Sequence, residues 1–382
     1  MVCIHVPPGP GMSATPTQHV LTNACVRAQG RIQAVADLLL LSSELRPVNT
    51  RNVTICQRSY TDCRDTVMTR TKSLIVHVEN LRRLLREAPS QGWGDTAQIL
   101  GDICEVVVGI IEACALGAYL HVLSSGQCQP AMPGIIDKYV ICRCHAEIAN
   151  ACNQFRCARP EDLSPDILLS ICEDMRKFLA VMTEVCSHAA NVEALDPGDS
   201  DQFKLCVKSF TSCAGCFMAA VRNFKTQPSH ANHRRCISFA GALTAATSAT
   251  VDFATEDQFT GRSAMLTKEG KDTKRAVLGS CLQVVSSCVQ MCKTVQEAPT
   301  SYVDHRTHER VAACADSITR ACFHLENTLQ QQAIPDTANR YHYWIHVIKV
   351  SQHVFAQPSK KRCPVQAWWN RKIISLLILS QE

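Results

Sequence analysis

Thiols and imidazoles are the residues here that could do chemistry, and three groupings invite the test. Cys213 and Cys216 form a CxxC pair. Such a pair holds zinc when a second ligand pair lies within reach, and it acts as a redox dithiol when a helix N-terminus lowers its thiol pKa. Here the pair falls in mid-helix, with Cys213 on the same face as Phe210 and Phe217, so it reads as core packing. Cys142, Cys144 and His145 form CRCH, a spacing that does not put all the ligands on one helical face. Cys281, Cys288 and Cys292 lie at spacings of 7 and 4 on an apolar stripe, where thiols behave as small hydrophobes. No phosphate loop, HExxH or strand–turn–helix nucleophile elbow occurs in the sequence, and the pattern assigns most histidines to loops and to the C-terminal tail. The reading is therefore non-enzymatic. No residue is nominated as catalytic, cofactor-binding or metal-ligating, and no cofactor is expected.

The positions of those cysteines are set by a repeating pattern. Apolar residues recur at spacings of 3 and 4 in segment after segment, the period of amphipathic helices. Ile99, Ile103, Val106, Ile110, Cys114 and Gly117 mark a helix over about 95–124. Ile167, Ile171, Met175, Phe178, Met182 and Val185 mark one over 165–191. Phe203 to Phe224, Val277 to Val295 and Val311 to Leu325 repeat the pattern. Weaker stripes place further helices at about 23–45, 57–87, 134–157 and 229–254. Sustained alternation is absent, so no strand is expected. Breaker clusters at Ser124 to Gly134 and at Thr255 to Gly261 divide the chain, and Ser164-Pro165 reads as an N-cap followed by proline at the first helical position. The fold expected is all-α, a four-helix bundle inserted into a five-helix bundle. Residues 1–22 would be a flexible segment, 23–125 plus 262–332 the five-helix bundle, 134–255 the inserted module, and 333–382 a divergent, poorly ordered tail.

Composition agrees. The chain of 382 residues is 46% hydrophobic but only 5% aromatic, which suits helices packed through small aliphatic side chains. Seven Lys/Arg beyond residue 333, set against Asp336 and Glu382, account for the whole net charge of +5. The rest is neutral, so no nucleic-acid partner is expected. The N-terminus shows no sustained apolar run, and the longest such run, Ile373–Leu379, is far short of the ~20 residues a membrane span needs. The expectation is a soluble, intracellular protein whose 23 cysteines stay reduced.

Several longer words carry more. VADLLLLSSELRPV (35–48), CRDTVMTRTKSL (63–74), QFKLCVKSF (202–210), FATEDQFTGRSAMLTKEGK (253–271) and AVLGSCLQVVSSCVQ (276–290) resemble the talin-rod-like family of helical bundles, in the same order over about 30–330. In a small member of that family a four-helix bundle interrupts a five-helix bundle. The resemblance implies a homodimer formed through the inserted module that binds and bundles F-actin, in the cytoplasm and in filopodia, with a part in cell migration. The tail after 333 does not resemble the family.

Given an actin partner, whose surface is acidic, basic clusters become candidate contacts: Lys268, Lys271, Lys274 and Arg275 at the start of one helix, Arg306 and Arg310 at the start of the next. Arg82, Arg83 and Arg86 form a third cluster that also simply complements a helix C-terminus. For the dimer, the 240–250 stretch is nearly all small residues, which lets a second helix approach closely. Phe239, Ala240 and Leu243 are the interface candidates beside it. Phe239, Leu243, Ala246 and Phe253 fit a stripe facing the module's own core equally well, so both placements stay open. The alternative function is a scaffold whose bundles capture amphipathic helical peptides of adhesion or signalling proteins without bundling actin.

Overall fold

The computed structural model describes residues 16–45, 59–91, 93–193, 195–297 and 305–332. Ten α-helices occur among them: α1 Pro16–Leu39, α2 Tyr60–Gln91, α3 Gly94–Ser124, α4 Lys138–Cys157, α5 Pro165–Ala190, α6 Pro197–Thr226, α7 His230–Ala254, the single turn α8 Asp257–Thr260, α9 Lys268–Glu297 and α10 His305–Gln331. The expectations for residues 1–15 and for the tail from 333 lie outside the described residues.

Helix starts follow their capping residues. Ser164 accepts a hydrogen bond from Ile167 N, with Pro165 opening α5. Asp137 caps α4 through Val140 N, and Ser229 caps α7 through Asn232 N. Each satisfies one of the backbone donors that a helix start leaves unpaired. One boundary is corrected: α1 begins at Pro16 and ends at Leu39, so residues 16–22, expected to be flexible, are helical.

Burial divides the helices into two cores. The first joins α1, α2 and α3 to α9 and α10, through residues such as Leu21, Ile32, Tyr60, Leu74, Ile110, Val284, Cys288 and Ile318. The flanks of the chain, distant in sequence, thus share one interior. The second core is made by α4 to α7 together with Ile135, Ile136, Leu163 and Phe259. Aromatic residues concentrate there: Phe155 meets Phe217 edge-on at 5.2 Å, and Phe203 packs against Phe253 and Phe259 at 4.8 and 5.1 Å.

Four two-residue strands, β1 Cys128–Gln129, β2 Met132–Pro133, β3 Gly261–Arg262 and β4 Met265–Leu266, contradict the expectation of no strand. β1 pairs antiparallel with β4, Cys128 opposite Leu266, and β2 with β3, Met132 opposite Arg262. Two residues are too few to show alternation, so periodicity could not reveal them. The chain therefore enters and leaves the second core through connections lying side by side. Two glycines make this possible. Gly261 has φ 75°, and a Cβ at Gly134 would come within 1.9 Å of the Phe259 carbonyl oxygen, which itself accepts from Ile136 N at 3.0 Å.

Candidate interaction surfaces and the joint between the cores

The first candidate surface is the outer face of α6 and α7. On α6 the buried stripe is Phe203, Cys206, Phe210, Ala214, Phe217, Ala220 and Phe224; on α7 it is Cys236, Ala240, Leu243, Thr247, Thr250 and Ala254. Ala240 and Leu243, both 0% exposed, are thus corrected: they face the module's own core and offer nothing to a second copy. Phe239 is 38% exposed and Leu205 59%, and with Cys216 they stand on the opposite, solvent side. No charged residue occurs from Ser209 to Val221 or from Cys236 to Val251. Four helices, α3, α6, α7 and α9, are long and apolar enough to cross a membrane by length and composition alone. In α3 that apolar window is 83% buried inside the protein, whereas in α6 and α7 only 33% and 28% are. These two helices leave a smooth uncharged face, largely of Ser, Ala, Gly and Thr, open to solvent.

The second candidate is the set of basic residues on α9 and α10. Lys268, Lys271 and Arg275 are exposed. Lys274 is half-buried and donates to the carbonyls of Ser42 and Ser43 at 2.8 and 3.1 Å, so it closes the end of α1 and is not free for a partner. Arg275 pairs with Asp272 at 2.7 Å, and Arg310 with Glu297 at 2.6 Å. The helices run antiparallel, as Ser280–Thr328, Ser287–Ser317 and Thr294–Cys314 contacts show. The two basic clusters are therefore separate patches. At 1.5 Å per residue, Arg306 and Arg310 lie roughly 40 Å from Lys271, at the other end of the bundle.

The third feature, missed by sequence reasoning, is a charged joint between the cores. Arg31 of α1 reaches Glu105 of α3 at 2.7 Å and Glu147 of α4 at 3.0 Å. Glu147 is only 4% exposed. Arg143 of α4 bonds Glu112 of α3, which also accepts from the Tyr139 hydroxyl at 2.8 Å. Both guanidinium groups lie 6.0 Å from the Phe178 ring centre, and Arg27 pairs with Asp174 on α5. Burial raises the Glu147 carboxyl above the usual range, and the neighbouring Arg31 and Arg143 oppose that only in part. The signal was available: Glu147 lies three residues from Cys144 and four from Ala151, on the stripe that buries Ile141, Ile148 and Phe155.

Most of the described thiols are buried. Every cysteine among the described residues is a free thiol. Burial pushes Cys104, Cys144 and Cys292 up to about 12, so little thiolate exists at neutral pH. Cys213 is half-buried against the second core, while Cys216 is exposed rather than packed. No group of three His, Cys, Asp or Glu able to hold a metal occurs among the described residues.

Histidines are not mainly in loops as expected. His121 and His145 are helical, and burial lowers both below the usual histidine range, despite a Gln332 hydrogen bond at His121 and Asp252 near His145. The His121 Nδ1 is buried without a hydrogen-bond partner, its ring 5.1 Å from Tyr60. The unfolded chain then binds these protons first as pH falls below about 6.5, so stability drops with acidification through that window. Chemical denaturation at about pH 7.5 and 5.5 should show the loss, and His121→Phe should reduce the difference, leaving the part that His145 contributes.

These are the features of an all-helical protein of two packed cores. No family model matches the chain. Curated relatives do: human talin-2 is 20% identical over 314 residues, covering 82% of this chain, and mouse talin-2 is 21% identical over 282 residues, covering 74%. Talin of Oscarella pearsei is 22% identical over 321 residues, again 82% of the chain. The matches, low in identity and consistent with one another, support a talin-rod-like family. The chain spans only 12% of the length of each of these talins.

Proposed function

We propose that this is a non-catalytic, homodimeric actin-binding protein that bundles filaments in the cytoplasm, including those of filopodia. In this reading α4 to α7 are a four-helix module inserted into a five-helix bundle of α1, α2, α3, α9 and α10. The module pairs with its twin, and each five-helix bundle grips one filament. The observation that supports pairing most is the open, uncharged face of α6 and α7. A helix that is apolar along its length yet mostly unburied in the protomer gains by covering that face. A C2 axis through it would bring two copies of Phe239 and Leu205 onto one contact and place the two host bundles on opposite sides. Lys268, Lys271 and Arg275 at one end of the bundle and Arg306 and Arg310 at the other are the filament-contact candidates that keep their exposure.

Paired actin sedimentation tests this. The protein should pellet with filaments at high speed and draw them down at low speed, and light scattering should give twice the protomer mass. A monomer that bundles, or a dimer with no affinity for filaments, removes the reading.

A further inference from the structure

Where the two cores and the paired connections meet, the fold leaves a cavity of about 310 Å³. Leu38 at the end of α1, Ala115 on α3, Ala131 before β2, and Tyr139 and Cys142 in the first two turns of α4 supply its apolar wall. Small organic ligands settle in clefts of about 300–1,000 Å³ at such boundaries, on apolar walls that carry a few converging polar groups. Five charged residues line this one: Asp37, Glu44, Asp137, Lys138 and Arg262. The Asp137 carboxylate caps α4 by accepting from Val140 N at 3.2 Å. That leaves Asp37 of α1 and Glu44 just beyond it as the anions, set against Lys138 of α4 and Arg262 of β3 as the cations. Asp37 is exposed and makes no ion pair among the described residues. Lys138 and Glu44 meet at 3.5 Å with side chains 40% and 34% exposed, a long, wet contact that exchanges easily for another partner.

We infer that this cavity binds a small zwitterion of amino-acid chemistry with an apolar body, its carboxylate on Lys138 and Arg262, its ammonium on Asp37 and Glu44, and its body against Leu38, Ala115 and Tyr139. The balance of charge selects that class. A lone anion would also face Asp37 and Glu44, and a lone cation would face Lys138 and Arg262. An uncharged apolar molecule would desolvate all of them and pair none. The ligand would touch α1, α3, β3 and α4 together, so occupancy would tie the two cores to each other and raise the melting temperature. None of these residues is a proposed filament or pairing contact, so the inference stands or falls apart from the bundling reading.

The probes are three molecules that share one indole body: L-tryptophan, a zwitterion; tryptamine, a cation; and indole-3-propionate, an anion. Each is titrated by calorimetry onto the full chain. Tryptophan should saturate a single site, and each singly charged analogue should bind about tenfold more weakly or worse. Lys138→Met should bring tryptophan down to the level of tryptamine, and Asp37→Asn/Glu44→Gln to the level of indole-3-propionate. All three side chains are at least partly exposed, so helicity should stay at the parent's value. Location has its own readout. Cys142 lines the cavity and is half-buried, whereas Cys216 is exposed on α6. Tryptophan at ten times its Kd should slow maleimide modification of Cys142 about tenfold and leave Cys216 unchanged, read by peptide mass. No saturable binding of tryptophan, equal or tighter binding of either analogue, or affinity unchanged in both variants overturns the proposal. So does protection of both thiols or of neither, which would mean that the ligand sits elsewhere.

Discussion

If the proposed pairing holds, Phe239→Asp should convert the dimer to a monomer that still pellets with single filaments at high speed and no longer pulls them down at low speed. The size of the effect comes less from lost apolar contact than from the charge. Phe239 is already mostly covered in the protomer, being 38% exposed. Covering the remainder contributes about 1 kcal/mol per copy, a fraction of the 1.5–3 kcal/mol of complete burial. A carboxylate placed in the same contact has Arg235 one turn away, at the edge of the face and engaged with Asn232 at 3.2 Å, and no other cation on either helix between Lys208 and Arg222 or between Arg235 and Asp252. An uncompensated buried charge costs about 3–5 kcal/mol, and two-fold symmetry counts it twice. Dimer affinity should fall at least about a hundredfold. Because the side chain points away from Ala240 and Leu243, both fully buried, helicity and melting temperature of the monomer should stay near the parent's. A dimer that survives this change would mean that the two copies meet elsewhere.

Arg31→Met should be the most destabilising single change at the surface between the cores, by about 3–5 kcal/mol. It leaves Glu147, 4% exposed, with only Arg143 at 3.8 Å in support. It also strips Glu105 of the partner that, against the effect of burial, keeps its carboxyl below the usual range. Since the joint connects α1 and α3 to α4, the loss should appear as uncoupling: two denaturation transitions where the parent shows one. Arg31→Met/Glu147→Leu should recover most of the loss, because replacing both partners leaves no buried charge stranded. If the single variant unfolds in one transition at the parent's midpoint, the joint contributes nothing to coupling.

Most helices were legible because their cause is local. The Phe203 to Phe224 and Val277 to Val295 stripes repeat at 3 and 4 without interruption, and Ser164-Pro165 announces its own cap. What escaped is decided between elements. Nothing at Ala240 or Leu243 says which side of α7 meets α6, since small residues stand on both faces; only the packed module separates the buried stripe from the open one. Lys268 to Arg275 and Arg306 to Arg310 each open a helix, and only the antiparallel packing of those helices shows that the two clusters lie at opposite ends. Lys274 reads as a surface cation until the end of α1 is seen to present two carbonyls to it. The strands at 128–133 and 261–266 exist only as pairs across more than a hundred residues.

Those paired connections have a mechanical corollary. Because entry and exit stand next to each other and are cross-bonded, tension applied to the outer ends of the host passes from one flank to the other across the ladders and leaves the four central helices unloaded. Under tension the flanking helices should therefore yield first, and α4 to α7 should feel pull only after the pairs at Cys128–Leu266 and Met132–Arg262 give way. A partner seated on α4 to α7 would then be shielded from strain that releases one seated on the flanking helices.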